Sequence, residues 1–238
     1  MRFICIVVLL YGIMYAQSYK AYTENMPPYN YIKNGKMSGI STDVLKNITK
    51  NSNSIYIKKV ELYPWKRAYK KVINTQNTVL YSTGRSQQRE KLFAWVGPID
   101  SIRVGVVSKK SKNININKIS DLNNYKIGTI TSSFVEQKLL KNGLKEKNLD
   151  SFISIESQIK KLISGRVDSV AFSIPAICYF LIELGEDLKD YEEIYLLGEA
   201  ELYFAFNRQS DKDMINELNR NINKLDIEHL SKTYTLSN

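Results

Sequence analysis

The chain has 238 residues, of which 43% are hydrophobic and 24% are charged, so it can fold around one large core or two smaller ones. The net charge is +10, but the lysines are scattered and no block of five like charges occurs, which argues against a nucleic-acid-binding protein. The two cysteines, Cys5 and Cys178, exclude a disulfide-rich scaffold.

The first sixteen residues, MRFICIVVLLYGIMYA, have the layout of a secretory signal peptide. Arg2 supplies a basic start, an apolar run follows to Met14, and Ala16 offers a small residue at the cleavage point. The run is shorter than the ~20 apolar residues of a membrane span, and an uncleaved anchor is the alternative. We therefore expect residues 1–16 to be a signal peptide and the protein to be periplasmic. Cys178, the remaining cysteine, is interpreted as a small buried residue rather than a nucleophile.

After the signal, short strand-like runs alternate with amphipathic helices. The predicted elements are a strand at 19–24, a loop with a KNGK turn, a helix capped by Ser41 or Thr42, a strand at 55–62, a helix begun by Pro64 and a strand at 78–82. Gly35 in the KNGK turn can adopt positive φ. Alternation of this kind predicts a parallel sheet with helices on its faces.

A strand-like run at 102–110 looks like a crossing point, after which the pattern restarts. The predicted elements are a helical turn and strand over 121–130, a helix ending at Gly143, a strand at 152–155, a helix ended by Gly165, a strand at 169–174, a helix begun by Pro175, a strand at 202–209 and a final helical segment over 210–234. Two similar α/β halves are expected, joined near residues 100–104 and again near 196–203.

Five segments, in a characteristic order, give the sequence a resemblance to a known family. They are TENMPPYNYIKNGKMSGISTDVL, PWKRAY, SQQREKLFAWVGPI, SDLNNYKIGTITSS and SGRVDSVAFSIPAICYF. Together they resemble the family 3 extracellular solute-binding proteins, the polar-amino-acid branch of the periplasmic binding proteins. The resemblance covers nearly all of the chain after the signal.

This resemblance implies an α/β fold of the type II periplasmic-binding-protein class. Two lobes are joined by two hinge strands, and the ligand lies in the cleft between the lobes. By the same resemblance, the first lobe consists of 17–100 and the return segment 202–238, and the second lobe of 105–197.

The resemblance also implies that Arg89 clamps the carboxylate of the ligand. A guanidinium suits that role, because its planar fork of N–H donors matches a carboxylate and stays charged at any ordinary pH. The alternative for Arg89 is a solvated arginine that faces Glu90. Arg85 is either a second anion ligand or a residue of the outer face.

The other predicted ligand-binding residues flank the same cleft. Strand ends and helix starts can offer hydroxyls and free N–H groups to an anion, and aromatic rings can stack on a ligand. The plainer roles are turn chemistry, helix capping and core packing. The predicted residues are Ser82, Gly84 and Ser86 at the strand end and helix start ahead of Arg89, the aromatic residues Trp65 and Tyr29, and Thr131, Ser132 and Ser133 in the second lobe.

The sequence departs from the family where an acidic residue normally accepts the ammonium group of the ligand. Phe172 and Ser173 stand at that position, and Asp168 lies at the start of the same strand. A serine offers only a neutral hydrogen bond in place of a charge-assisted one. Either Glu24 replaces the missing acid from the other side of the cleft, or the ligand carries a carboxylate and no ammonium.

The leading interpretation is a monomeric, exported binding protein that captures a small polar, carboxylate-bearing ligand and delivers it to an ABC permease. One alternative is a dehydratase-like enzyme of the same fold, for which Glu24 would be the acid or base and His229 is expected outside the cleft. The other is a ligand-sensing module that acts through a membrane partner. We expect no catalytic residue, no metal, no cofactor and no nucleic-acid partner.

Overall fold

The computed structural model describes residues 16–50 and 52–235, so Cys5 and all but the last residue of the predicted signal peptide lie outside the described residues. Among the helices described, none is long and apolar enough to cross a bilayer. These helices are α1 (Ile40–Lys50), α2 (Trp65–Asn74), α3 (Phe134–Lys141), α4 (Ile155–Ile163), α5 (Ile174–Glu183), α6 (Lys212–Ile222) and α7 (Ile227–Thr235).

An eight-stranded mixed sheet passes through the molecule, and a two-stranded hairpin is separate from it. The strands are β1 (Gln17–Thr23), β2 (Tyr31–Lys33), β3 (Lys36–Ser38), β4 (Ile55–Leu62), β5 (Thr78–Gly84), β6 (Phe93–Lys109), β7 (Ile127–Ile130), β8 (Leu149–Phe152), β9 (Ser169–Ser173) and β10 (Tyr191–Asn207). Their order across the large sheet is β4-β1-β5-β10-β6-β9-β7-β8, and β2 and β3 form the hairpin.

Each end of the large sheet is parallel and carries its own helices, which makes it an α/β lobe. In the first lobe β1 pairs in parallel with β4 and β5, and α1, α2, α6 and α7 pack there. In the second lobe β7 pairs in parallel with β8 and β9, and α3, α4 and α5 pack there. The predicted two-lobed α/β fold is confirmed.

Two long antiparallel strands, β6 and β10, connect the lobes. Each has 17 residues, and they pair along their whole length from Tyr191 opposite Lys109 to the far end of both strands. The sequence predicted only the shorter strands 102–110 and 202–209. The remaining parts of β6 and β10 were not predicted, because Pro98 and the acidic residues at the start of β10 are untypical of strands. They are strand because each supplies hydrogen bonds to the other.

The segment between β1 and β4 folds largely as expected. Asn34 and Gly35 have φ values of 52° and 73° and form the two-residue turn of the β2–β3 hairpin, as the KNGK pattern predicts. The helix that follows begins at Ile40, so Ser41 and Thr42 lie inside its first turn rather than at its cap. There the hydroxyl of Thr42 donates to the Ser38 carbonyl, 3.1 Å away.

Three other local predictions differ from the structure. No α-helix begins ahead of Arg89; a turn leads instead to a single 3₁₀ turn at Glu90–Leu92. The strand predicted at 152–155 lies at Leu149–Phe152, because Ser154 caps α4. The final helical segment is two helices, α6 and α7, with a break before Ile227.

Candidate ligand-binding cleft

A small cavity of about 40 Å³ lies between the two lobes. Its wall forms where β5 and β9 end and where α2, α3 and α5 begin. The carboxyl ends of strands are where open α/β sheets usually bind ligands. The predicted site residues that line the cavity are Glu24, Trp65, Ser82, Gly84, Arg89, Ser133 and Ser173.

Arg89 is the buried cation of the cleft. Arg89 is only 1% exposed. The Cζ atom of its guanidinium lies 5.1 Å from the centre of the Trp65 ring and 5.3 Å from the centre of the Tyr69 ring. Its Nη1 donates to the Gly84 carbonyl at 3.0 Å, and its Nη2 donates to Gln137 Oε1 at 3.3 Å. Burial lowers the pKa of Arg89 from its usual value.

No acidic side chain of the described residues lies within ion-pair distance of Arg89, and its Nε has no hydrogen-bond partner. A buried charge without a counter-charge is costly, which is why such groups are usually paired. The guanidinium is therefore a buried positive charge that, among the described residues, donates only to the neutral groups Gly84 O, Ser132 O and Gln137 Oε1.

Arg85 faces the outer surface. Its guanidinium pairs with the carboxylate of Glu90, with Nε 2.8 Å from Oε2, and lies over the rings of Trp95 and Tyr203. An ion pair with Glu90 was the alternative considered for Arg89. The structure shows that Arg85 makes this pair instead. The hydrogen bonds to Glu90 raise the pKa of Arg85.

Glu24 is the other ionisable side chain in the described wall of the cavity. It is half-buried at the end of β1, and its backbone carbonyl accepts a hydrogen bond of 2.6 Å from Asn30 Nδ2. Burial raises the pKa of its carboxyl to about 8, against the opposing effect of the positive charge of Arg89. Glu24 is therefore mostly protonated at neutral pH.

The end of β5 brings the first lobe close to the second. Ser82 has a φ of 58°, and its buried hydroxyl is hydrogen-bonded to Asn30 and Ser41. A Cβ added at Gly84 would lie 3.0 Å from the ring of Phe134, so a glycine permits the close approach of the lobes. These contacts give Ser82 and Gly84 structural roles at the cavity wall.

The turn between β7 and α3 contributes mainly capping and backbone groups. Ser133 lines the cavity and caps α3 by accepting from the Glu136 N–H at 3.1 Å. Ser132 presents its carbonyl to the first lobe, while its own N–H donates to the Glu136 carboxylate. The hydroxyl of Thr131 donates to the Phe152 carbonyl at 3.3 Å, and Thr131 does not line the cavity.

Two further predicted residues also lie outside the cavity wall. Tyr29 is buried in the core of the first lobe, and burial and the carboxylate of Asp100 raise its pKa. Ser86 lies in the turn after β5, where its backbone carbonyl accepts from the Arg89 N–H at 2.9 Å. Neither side chain is brought to the cavity.

Ser173, which the resemblance predicted to stand in place of an acid, lines the cavity. It is 1% exposed, and its hydroxyl has no hydrogen-bond partner among the described residues. It stands directly before α5, whose N-terminal end carries partial positive charge. Phe172, next to it, adds an aromatic face to the wall.

The aliphatic part of the wall and Phe134 were not predicted, because the motifs that indicated the site consist mainly of polar residues. The missed residues come from the first lobe, from both hinge strands and from α3, and the alternation within each hinge strand could have indicated which of them face the cleft. They are Met26, Ile102, Val104, Phe134, Val135, Ala200 and Leu202.

The residues considered for chemistry lie elsewhere. His229 is exposed on α7, and Cys178 is half-buried on α5, where burial raises the pKa of its thiol. In the part of the chain that is described, no group of three or more His, Cys, Asp or Glu side chains could hold a metal ion.

Direct contacts hold the lobes together across the cleft. The indole N–H of Trp65 in the first lobe donates to the Ser132 carbonyl in the second, at 2.8 Å. Tyr31 of the hairpin meets Tyr179 of α5 with ring centres 5.6 Å apart. Because these contacts join the two lobes, they favour the closed state over one in which the lobes separate.

Replacing Trp65 with phenylalanine should therefore favour opening of the cleft. The loss of one hydrogen bond, about 1 kcal/mol, corresponds to a roughly fivefold shift towards the open state. Small-angle X-ray scattering should show a larger radius of gyration. Trp95→Phe is the control, because the Trp95 indole donates to the Glu90 carbonyl at 3.2 Å within one lobe. Equal opening in both variants would contradict the assigned role of the Trp65 contact.

A two-lobed α/β protein with two hinge strands and an enclosed cleft is the architecture of ligand-binding proteins that close around a solute. The family model of the bacterial extracellular solute-binding proteins, family 3, matches residues 20–235, and the chain belongs to this family. The comparison with curated proteins found no match.

Solved structures share the fold at low sequence identity. A histidine kinase sensor domain with similarity to periplasmic binding proteins has a TM-score of 0.80 at 14% identity, covering 92% of this chain and 96% of its own. A mutant of the T. maritima protein ArgBP has a TM-score of 0.79 at 15% identity, with 92% and 95% covered. A substrate-binding protein of a Streptococcus pneumoniae ABC uptake transporter, with bound histidine, has a TM-score of 0.78 at 15% identity, with 91% and 92% covered.

Proposed function

We propose that this protein is an exported, monomeric solute-binding protein that captures a small carboxylate-bearing ligand, an amino acid or a related organic acid, and delivers it to an ABC importer. Residues 1–16 are its signal peptide and the periplasm is its compartment. Its first lobe comprises 17–100 and 202–238, and its second lobe 105–197. Membership of the family supports the ligand-binding role.

The observation that carries this proposal is the buried guanidinium of Arg89 at the wall of the cavity, without an ion pair in the described structure. A ligand carboxylate would supply the missing counter-charge and could accept from two N–H groups at once. Ser173, on the opposite lobe, adds a second buried polar group, and its hydroxyl has no partner among the described residues.

Capture requires the lobes to move. A cavity of about 40 Å³ holds only a few water molecules at ~10–15 Å³ each, so a larger ligand enters when the lobes separate. The long paired strands β6 and β10 are the hinge, and ligand contacts to both lobes then favour closure.

A panel of carboxylates tests the proposal. We expect at least one α-amino acid, α-keto acid, aromatic acid or dicarboxylate to raise the melting temperature by several degrees and to reduce the radius of gyration. The corresponding neutral amide should do neither. If no carboxylate acts, or if the amide acts equally well, the proposed function is wrong.

A sensory role is the second candidate, favoured by the likeness to the histidine kinase sensor domain. In that role the closed protein would be recognised by a membrane-bound signalling partner. Loss of ligand uptake in a strain lacking the protein supports transport. A lost transcriptional response with unchanged uptake supports sensing.

The raised pKa of Glu24 predicts a pH dependence of carboxylate binding. As the pH rises through about 8, Glu24 becomes negatively charged beside Arg89, competes for its positive charge and repels the ligand. Affinity should therefore fall roughly fivefold between about pH 7 and about pH 9.5. Calorimetric titration should show no such decline in Glu24→Gln, and a decline of equal size there would refute this role of Glu24.

A further inference from the structure

We infer that the ligand of this cleft is a monocarboxylate with an apolar body and without an ammonium group. The inference rests on the proposed function, because it assumes that Arg89 receives a carboxylate. Three properties of the cavity limit the chemical class of the ligand: the charge of the wall, its apolar residues and the buried hydroxyl of Ser173.

The charge of the cavity wall favours an anion and disfavours a zwitterion. Arg89 and Glu24 are the ionisable side chains of the described wall, and the carboxyl of Glu24 has its pKa raised to about 8 by burial. At neutral pH the site therefore has a net positive charge. An ammonium group would meet no negatively charged side chain there and would have to be desolvated without compensation.

The N-terminal end of α5 strengthens this preference. Ser173 precedes α5 and lines the cavity, so the positive end of this helix faces the site, whereas the first turn of α3 already carries the carboxylate of Glu136. An anion is stabilised beside α5 and an ammonium group is repelled. Ser173 itself supplies only a neutral hydroxyl.

The rest of the wall is apolar. Met26 from the first lobe, Phe134 and Phe172 from the second, and Val104 and Leu202 from the hinge strands enclose the space beside Arg89. Burial of a hydrocarbon group of the ligand against this wall stabilises the complex. The wall offers no charged side chain to a second polar end of the ligand.

The hydroxyl of Ser173 defines one further feature of the ligand. It is buried and has no partner in the described structure, so a single neutral polar group of the ligand can satisfy it. An oxo or hydroxyl oxygen next to the carboxylate fits that requirement, because it accepts a hydrogen bond from the serine without adding charge.

Matched pairs of acids test this inference at about pH 7. Calorimetric titration compares pyruvate with alanine, α-ketoisovalerate with valine, and phenylpyruvate with phenylalanine. Within at least one pair we expect the keto acid to bind roughly tenfold more tightly than the amino acid, because the ammonium group of the amino acid is desolvated without a counter-charge. Amino acids that bind equally well or better overturn the inference but leave the proposed function standing. If no carboxylate binds, both are overturned.

Substitutions at Ser173 provide the second measurement. Ser173→Asp should reverse the preference, so that the amino acid of the pair binds more tightly, because an aspartate can accept from its ammonium group. Aspartate is also a favoured residue before a helix, which helps the variant to fold. Ser173→Ala is the matched control and should weaken the keto acid without favouring the amino acid. An unchanged preference in a folded Ser173→Asp variant contradicts the inference.

Discussion

Replacing Arg89 with methionine is expected to abolish carboxylate binding while leaving the fold about as stable as before. A carboxylate that accepts two charge-assisted hydrogen bonds loses about 3 kcal/mol or more without them, which is an affinity loss of roughly 100-fold or greater. The fold is spared because a buried guanidinium without an ion pair stabilises little. Methionine loses the cation–π contacts with Trp65 and Tyr69 but can still pack its thioether against these rings.

Two further substitutions make this prediction specific. Arg89→Lys keeps the charge but not the planar fork, so we expect an intermediate affinity. Arg85→Met is the matched control, because Arg85 pairs with Glu90 on the outer face and should not affect binding. Calorimetry measures the affinity and urea denaturation the free energy of unfolding. Normal binding by Arg89→Met, or an equal loss in Arg85→Met, would show that the carboxylate site lies elsewhere.

The second large effect is expected on stability, in Gly39→Ala. Gly39 joins the β2–β3 hairpin to α1 with a φ of 116°, and an added Cβ would lie 2.3 Å from the carbonyl oxygen of Tyr29. A side chain there is strained and also collides with backbone. We expect the free energy of unfolding to fall by about 3 kcal/mol or more.

Gly35→Ala is the control for this substitution. Gly35 also has positive φ, at 73°, but an added Cβ would meet nothing within 4 Å. Its cost should be only the strain of the left-handed conformation, about 1 kcal/mol. Urea denaturation should show a lower midpoint at an unchanged slope for both variants, with the larger change at Gly39. Equal changes would mean that the collision with Tyr29 is relieved by a small backbone shift.

Much of the fold could be predicted because its signals are local. The KNGK turn, the alternation of strands and helices, and the proline starts of α2 and α5 depend on neighbouring residues, and the structure contains each of them. The full length of β6 and β10 could not be predicted, because each is held as a strand by hydrogen bonds to the other. Pairing of that kind joins residues about a hundred positions apart and leaves little local pattern.

Part of the candidate site could also be predicted, because a short segment of neighbouring residues indicated it. The resemblance placed Arg89 at the cleft, and the structure places it there, buried. Four residues separate it from Arg85, yet the two point to opposite sides, because a turn and not a helix connects them. A helical spacing rule would have put both on one face.

By itself, the sequence determined the order of the elements and the two lobes, since these follow from local patterns. Its resemblance to a family placed Arg89, Ser82, Ser133 and Ser173 at the cleft, where they line the cavity. Only the tertiary structure decided the chemical character of the site. It brought Glu24 into the same cavity wall as Arg89, where burial raises the pKa of the carboxyl, and it placed Phe134 and Phe172 in that wall too. The physical reason is that burial and electrostatic interaction depend on which distant segments meet, and no stretch of neighbouring residues contains that information.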